Sequence, residues 1–166
     1  SHSFPTRRSS DLFFNVGLTY YNLRDLKNAV INYKKALKIE DKHLDALFNL
    51  AITFTENKNP KQAIKYYQKA IEIDYDNVFV HFNLGNIYYE QSDFLLAIKH
   101  FKSAINIDPN YPNTYYNLAA AFERIKDYPS CLKYYKLSFH QNSQEIKALT
   151  KIRLLFKKMR KNNEIG

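Results

Sequence analysis

The sequence is poor in the residues that make tight turns and cross-links. Its 166 residues include 3 glycines and 5 prolines, whereas an all-β protein needs turn residues every few positions. A single cysteine, Cys131, excludes an intrachain disulfide and fits a reducing compartment. No apolar run approaches the ~18 residues of a membrane-spanning helix. We therefore expect a helical, cytoplasmic protein with no membrane partner.

Positive charge is concentrated at the carboxyl end of the chain. Of the net charge of +9, residues 146–166 carry +6 and residues 13–145 carry only +2. A nucleic-acid-binding domain usually has a basic patch on its folded body. Because the body here is nearly neutral, nucleic acid is not expected as a partner. Hydrophobic residues make up 45% of the chain, enough for a packed core.

A spacing of 34 residues links four similar blocks, Phe14–Gly17, Phe48–Ala51, Phe82–Gly85 and Tyr116–Ala119. The same spacing links small residues at Ala29, Ala63, Ala97 and Cys131. It also links aromatic residues at Tyr33, Tyr67, Phe101 and Tyr135. A fixed period of this length is typical of a repeat protein, in which each repeat is one supersecondary unit.

This pattern resembles the tetratricopeptide repeat (TPR) family, whose repeats are pairs of antiparallel helices, A and B. The third repeat matches the family pattern best, with Leu84, Gly85, Tyr88, Ala97 and Pro109 in place. The repeats would span residues 10–43, 44–77, 78–111 and 112–145, before a capping helix and basic tail at 146–166. The resemblance implies an all-α, right-handed superhelical solenoid, for which we predict nine helices.

The repeat positions have physical reasons. Glycine inside a helix costs about 1 kcal/mol against alanine, so Gly17 and Gly85 indicate a close approach between helices. A side-chain oxygen between helices A and B can cap the start of helix B. The residues predicted to do so are Asp25, Asn59, Asp93 and Asp127.

The first twelve residues differ in character from the repeats. The string His2–Leu12, HSFPTRRSSDL, resembles the in-frame translation of a DNA-sequencing adapter. Sequence of that origin does not belong to a fold. We therefore expect residues 1–12 to be a tail that contributes little to stability, with the natural chain visible from about Phe13 and extending further upstream in its parent. The alternative is a natural polar tail.

The sequence offers no catalytic or metal-binding set. His43, His81, His100 and His140 fall at different repeat positions, and no pair has metal-ligand spacing with a second ligand nearby. Cys131 stands at a packed small-residue position, which favours an inert buried thiol over a nucleophile. We expect a protein that is not an enzyme, with no cofactor, no metal and no small-molecule substrate.

The resemblance implies a concave groove lined by the A helices. One groove position is the aromatic ladder, defined as Phe14, Phe48, Phe82 and Tyr116. The next is the asparagine ladder, defined as Asn15, Asn49, Asn83 and Asn117. An amide can donate to and accept from a peptide backbone, and aromatic rings suit an apolar peptide. The alternatives are that the asparagines brace neighbouring helices and that the aromatic residues are packing.

A narrower resemblance is to the TPR co-chaperones that clamp a C-terminal carboxylate. Asn86, Asn117 and Lys147 match three of the five clamp positions, and Lys151 replaces an arginine at the fifth. Phe82 stands where the family has a lysine, so the match lacks one main cation. Arginine also pairs with a carboxylate in a forked geometry that lysine cannot reproduce.

We predict a protein–protein interaction scaffold or adaptor that binds a partner peptide in this groove. Lys147 and Lys151 would favour a peptide with an acidic C-terminus. Two alternatives stay open, namely a co-chaperone carboxylate clamp and the non-catalytic substrate-binding arm of a larger enzyme resembling an O-linked N-acetylglucosamine transferase. The basic helix after residue 146 is predicted to cover repeat four, the other interpretation being a membrane-surface or acidic-partner helix.

Overall fold

The fold consists of helices joined by short turns. A computed structural model describes residues 7–141 and 145–164, and within them it contains nine α-helices and no strand. In chain order the helices are α1 (Arg7–Asn22), α2 (Leu26–Ile39), α3 (Leu44–Glu56), α4 (Pro60–Ile73), α5 (Val78–Glu90), α6 (Phe94–Ile107), α7 (Thr114–Arg124), α8 (Tyr128–His140) and α9 (Glu145–Glu164). The predicted all-α, TPR-like fold is confirmed.

The helices pair in sequence as hairpins: α1 with α2, α3 with α4, α5 with α6 and α7 with α8. They belong to two compact units. The amino-terminal unit, Ser1–Asp76, contains the first two hairpins, and the carboxyl-terminal unit, Asn77–Gly166, contains the last two and α9. Each hairpin is one predicted repeat, with helix A first and helix B second.

All four hairpin turns are built in the same way. The side chains of Asp25, Asn59, Asp93 and Asp127 each accept a hydrogen bond, at 3.1–3.2 Å, from the backbone N–H three residues further on. Because these N–H groups have no partner inside the helix, the bonds stabilise the start of helix B. The predicted N-caps are therefore confirmed. The residue before each cap has a positive φ, namely Arg24, Lys58, Ser92 and Lys126.

Large aromatic side chains of the B helices fill each hairpin. Tyr33, Tyr67, Phe101 and Tyr135 have no exposed surface. A methyl group on Gly85 would lie 2.5 Å from the Phe101 ring, and one on Gly17 would lie 2.7 Å from the Tyr33 ring. Both glycines thus serve the close packing that their place inside a helix indicated.

The first helix begins earlier than expected. Residues 1–6, which include the first five residues of the adapter-like segment, lie outside the described residues, but α1 starts at Arg7 and continues without a break into the first repeat. Ser10 is buried and its hydroxyl donates to Glu40 at 2.8 Å, while a carboxylate oxygen of Asp11 lies 3.3 Å from Nε2 of His43. Residues 10 and 11 thus contact the fold, and their origin in an adapter stays a prediction.

The ninth helix packs against α8 with one stripe of apolar side chains. Ala148 and Leu155 are buried, and Ile152 and Met159 are partly buried. Leu155 belongs to the same cluster as Phe122 and Tyr135. The stripe follows the period of an α-helix, and α9 thereby covers the last hairpin.

Candidate functional site

The aromatic ladder lies on the A helices, with every ring half-buried. Each ring packs on the buried aromatic residue of its own helix B at centroid distances of 5.3–6.1 Å. The pairs are Phe14–Tyr33, Phe48–Tyr67, Phe82–Phe101 and Tyr116–Tyr135. Phe82 also lies 5.0 Å from the Tyr111 ring. One side of each ladder residue therefore belongs to the core, and the rest is accessible.

The asparagine ladder does not behave uniformly. In α3 and α5, the amides of Asn49 and Asn83 donate to carbonyls one turn back in their own helix, Asp45 and Phe79, at 2.9 and 2.7 Å. Both bonds stay within one helix, so neither asparagine braces a neighbouring helix through them. Both side chains are half-exposed. Asn15, the first member of the ladder, is exposed.

The last member of the ladder joins two helices. The amide nitrogen of Asn117 in α7 donates to the amide oxygen of Asn86 in α5 at 2.9 Å. The bond brings together two residues of the clamp-like set. It also joins α5 to α7, so at this one position the asparagine ladder braces neighbouring helices. It uses one donor of Asn117 and one lone pair of Asn86. Among the described residues, the Asn86 nitrogen and the Asn117 oxygen have no hydrogen-bond partner.

Lys151 of α9 is already paired with an acid. Its ammonium group lies 3.0 Å from Oε2 of Glu123 in α7, and the Tyr135 hydroxyl donates to the same carboxylate at 3.0 Å. Burial raises the pKa of Glu123, but the hydrogen bonds from Lys151 and Tyr135 and the positive charges of Lys151 and Lys158 together hold this pKa below its usual value. For Lys151, burial lowers the pKa, but Glu123 outweighs it and raises the pKa above its usual value. The carboxylate and the ammonium thus stabilise each other's charged forms.

This ion pair changes what the clamp-like set offers an incoming carboxylate. A ligand carboxylate at Lys151 would compete with Glu123 for the same ammonium group. Lys147 is exposed, and Phe82 supplies no charge. Sequence reasoning missed Glu123, although it is the sole acidic residue of α7 and faces a strongly basic helix. That charge pattern was the available signal.

A second feature missed from the sequence is a histidine pair inside the third hairpin. Nδ1 of His81 lies 3.2 Å from Nδ1 of His100, and the His100 ring stacks on Tyr88 at 5.4 Å. Phe54–Tyr66 and Phe122–Tyr134 stack at the same two repeat positions. The 34-residue alignment could therefore have predicted that His100 packs on Tyr88. Burial, together with His81, lowers the pKa of His100 to about 4.

The thiol of the single cysteine lies in the core of the carboxyl-terminal unit. Cys131 is fully buried, and burial raises the pKa of its thiol to about 12, as the packing interpretation predicted. Within residues 7–141 and 145–164, no cluster of three or more His, Cys, Asp or Glu side chains is placed to hold a metal ion. None of the helices in those ranges has the length and hydropathy of a membrane span.

Models of the repeat family match most of the repeat region. A model described as a TPR repeat matches residues 53–92 and 85–126, and one described as a tetratricopeptide repeat matches residues 10–43. Together with the fold, these matches define a protein of the helical-repeat class. The chain belongs to the tetratricopeptide repeat family. No curated protein matches it significantly.

Solved structures share the fold over nearly the whole chain. A crystal structure of the MamA protein aligns with a TM-score of 0.87 and 21% identity, covering 93% of this chain and 85% of that one. The Pseudomonas aeruginosa protein PilF aligns with a TM-score of 0.75 and 27% identity, covering 93% and 71%. YrrB, described as a TPR protein with an unusual peptide-binding site, aligns with a TM-score of 0.80 and 15% identity, covering 89% and 76%.

Membership of this family supports a role as a protein-interaction scaffold with protein or peptide partners. The family is consistent with a protein that is not an enzyme. The residues that contact a partner stay a prediction.

Proposed function

We propose that the carboxyl-terminal unit captures an extended peptide of a partner protein along α5 and α7. The observation that carries this proposal is the Asn86–Asn117 pair, which leaves the amide nitrogen of Asn86 and the amide oxygen of Asn117 for a ligand. A peptide backbone presents a carbonyl and an N–H at every residue. The pair therefore matches one peptide unit without any side-chain requirement.

The half-exposed rings of Phe82 and Tyr116 lie one residue before Asn83 and Asn117 on the same helices. Apolar side chains of the peptide would cover these rings while its backbone reaches the amides. In the amino-terminal unit, Phe48 and Asn49 offer the same chemistry on α3. We propose them as a separate peptide contact of the amino-terminal unit.

An acidic C-terminus on the peptide is the finer part of the proposal. Lys147 is exposed and contributes a positive charge, and Lys151 would contribute only by leaving Glu123. Exposed ion pairs stabilise a complex by about 0.2–1 kcal/mol, whereas removal of a buried anchor can cost about 2 kcal/mol or more. We therefore rank the aromatic residues above the lysines as sources of affinity. For the same reason, we favour a groove along α5 and α7 that binds an extended peptide over a carboxylate clamp.

Peptides selected from a displayed random library provide the ligand for a test by titration calorimetry. Asn86→Leu and Asn117→Leu keep side-chain size but remove the amides, so each is expected to weaken binding about three- to tenfold. Asn106→Leu is the matched control, because Asn106 is exposed on helix B of the same unit. Equal effects from all three variants would contradict the proposal.

A second set of variants ranks the contacts. Phe82→Ala is expected to weaken the selected peptide more than Lys151→Ala does. Because Phe82 packs on Phe101, circular dichroism must show that the variant is folded, and Phe82→Leu, which retains most of the volume, serves as the companion. If Lys151→Ala abolishes binding while both Phe82 variants bind normally, the ranking is wrong.

A further inference from the structure

The ninth helix carries a second apolar face beside its buried stripe. Leu149 and Phe156 are 42% and 46% exposed. They lie seven residues apart, two helical turns, and so occupy one side of the helix. Leu154, which is 57% exposed, lies roughly 140–160° further around the helix axis by the helical period. The face of Leu149, Arg153 and Phe156 is called the α9 outer face.

The repeat register shows what this face corresponds to. Steps of 34 residues carry Phe156 onto Phe122, Tyr88 and Phe54, and Arg153 onto Ala119, Gly85 and Ala51. In the hairpins these positions face helix B. Phe54, Tyr88 and Phe122 each stack on a helix B ring at 5.4–5.7 Å, and a methyl group on Gly85 would meet Phe101 of helix B. The α9 outer face is thus a helix A surface whose described surroundings contain no helix B.

The charge on this face selects the occupant. Arg153 stands where the other repeats have alanine or glycine, and Lys157 and Arg160, both exposed, lie beside it. Residues 146–163 contain no acidic residue. A helix that covers Phe156 must bring an acidic side chain to Arg153, since an apolar contact would leave this cation desolvated without a partner. The chain's own B helices have an aromatic residue at the facing position, which disfavours a second copy.

We propose that the α9 outer face binds an amphipathic helix of a partner protein that carries a carboxylate within its apolar stripe. The partner helix would occupy the place of a helix B supplied by another molecule. Affinity would come from burial of Leu149 and Phe156, and Arg153 would select against a helix without the acid. This surface is separate from the asparagine and aromatic residues of α5 and α7, so it does not depend on the peptide-binding proposal.

The probe is a stapled helical peptide that copies residues 93–108 and so contains α6, helix B of the third repeat, with the substitution F101E. In the hairpin, Phe101 meets the position that corresponds to Arg153. The unsubstituted peptide and an F101K peptide complete the set. Fluorescence anisotropy is expected to give the affinity order F101E, then unsubstituted, then F101K. Equal affinity of the F101E and F101K peptides would overturn the proposal.

Variants of the intact chain test whether the α9 outer face is the binding surface. Phe156→Ser is expected to weaken the F101E peptide by at least about tenfold. Arg153→Glu is expected to weaken the F101E peptide and to strengthen the F101K peptide. Leu154→Ser and Lys161→Glu are the matched controls at exposed positions outside the α9 outer face, roughly 80–160° around the helix axis from its three residues, each expected to change affinity less than about twofold.

Two further outcomes decide against the proposal. If the charge reversal at Arg153 leaves the preference between the two peptides unchanged, the carboxylate does not meet this residue. If vesicles containing phosphatidylglycerol bind the chain in a Phe156-dependent way while no peptide does, the face is a membrane contact. Circular dichroism of every variant shows that lost binding is not lost folding.

Discussion

At the scale of single residues, the distance between helices A and B depends on the size of the helix A residue that faces the buried ring of helix B. Phe101 is fully buried and leaves no room for a methyl group on Gly85. Repeats two and four have alanine at this position, Ala51 and Ala119, both buried, opposite Tyr67 and Tyr135. The third hairpin therefore depends on its glycine in a way that its neighbours do not.

Gly85→Ala is expected to destabilise the protein by about 1–3 kcal/mol, although alanine favours a helix by about 1 kcal/mol over glycine. The ring of Phe101 would have to move inside a packed core. Urea unfolding measures the change, with Ala119→Gly as the reciprocal control, expected to cost about 1 kcal/mol. A Gly85→Ala variant more stable than the wild type would show that the hairpin relaxes without strain.

The His81–His100 pair makes stability depend on pH. The ordinary pKa of histidine is 6.5, and burial, His81 and Lys99 lower that of His100 to about 4 in the folded protein. As the pH falls from about 6.5 toward 4, the unfolded chain binds a proton that the folded protein does not bind. Stability contributed by the neutral form is therefore complete above pH 6.5 and is lost through this window.

His100→Tyr tests this dependence, since the equivalent residues Tyr66 and Tyr134 stack in the same way. We expect the fall in urea midpoint between pH 7 and pH 5 to be smaller in His100→Tyr than in the wild type. His140→Gln, at an exposed position, is the control and should keep the wild-type slope. Identical slopes in all three proteins would contradict the assignment to His100.

Residue identities predicted some contacts and not others. The caps Asp25, Asn59 and Asp93 followed from sequence because each bonds to a backbone N–H three residues away. The Asn86–Asn117 and Lys151–Glu123 bonds join side chains 31 and 28 residues apart. Such bonds depend on rotamers and on how helices are set against one another, which a repeat period does not specify.

At the scale of helices, the first and the last helix are expected to contribute differently to stability. The resemblance to the repeat family predicted the nine helices that the described part of the chain contains, and the start of α1 is the main difference. Helix A of the first repeat was expected to begin near Phe13, because the preceding residues resemble an adapter. In the structure, Ser10 and Asp11 continue α1 and contact Glu40 and His43. Any helix-compatible residues placed before a stable helix can extend it, so foreign origin and helical structure do not exclude each other.

The resemblance of residues 2–12 to an adapter predicts that deletion of residues 1–12 leaves stability nearly unchanged. The buried Ser10 hydroxyl and its bond to Glu40 now lead us to expect a loss of about 1–3 kcal/mol. Chemical unfolding of the truncated chain measures it, and Ser10→Ala separates the single hydrogen bond from the rest. An unchanged midpoint would mean that these contacts add nothing to folding.

Deletion of residues 146–166 is expected to cost more. It removes Leu155 from the cluster with Phe122 and Tyr135, and it leaves Glu123 without its ammonium partner. The truncated chain should aggregate or unfold partially, because the last hairpin exposes an apolar surface. Calorimetry and light scattering report both effects. A monomeric chain with unaltered unfolding would show that α9 is not needed to cover repeat four.

At the scale of the whole molecule, the proposed function is binding at exposed surfaces of the carboxyl-terminal unit. Family membership makes the protein an interaction scaffold. Two surfaces are proposed to bind partners, one along α5 and α7 for an extended peptide and one on the α9 outer face for an acidic helix. They differ in chemistry, so variants of one should leave the other intact.

The central claim is that the groove of the carboxyl-terminal unit recognises mainly the backbone and apolar side chains of a peptide, and that its terminal charge contributes little affinity. Titration calorimetry of one selected peptide, with a free and with an amidated C-terminus, tests this most directly. Because Glu123 already neutralises Lys151, we predict that amidation changes Kd by less than about threefold. Loss of about a hundredfold or more on amidation would contradict the account and establish a carboxylate clamp.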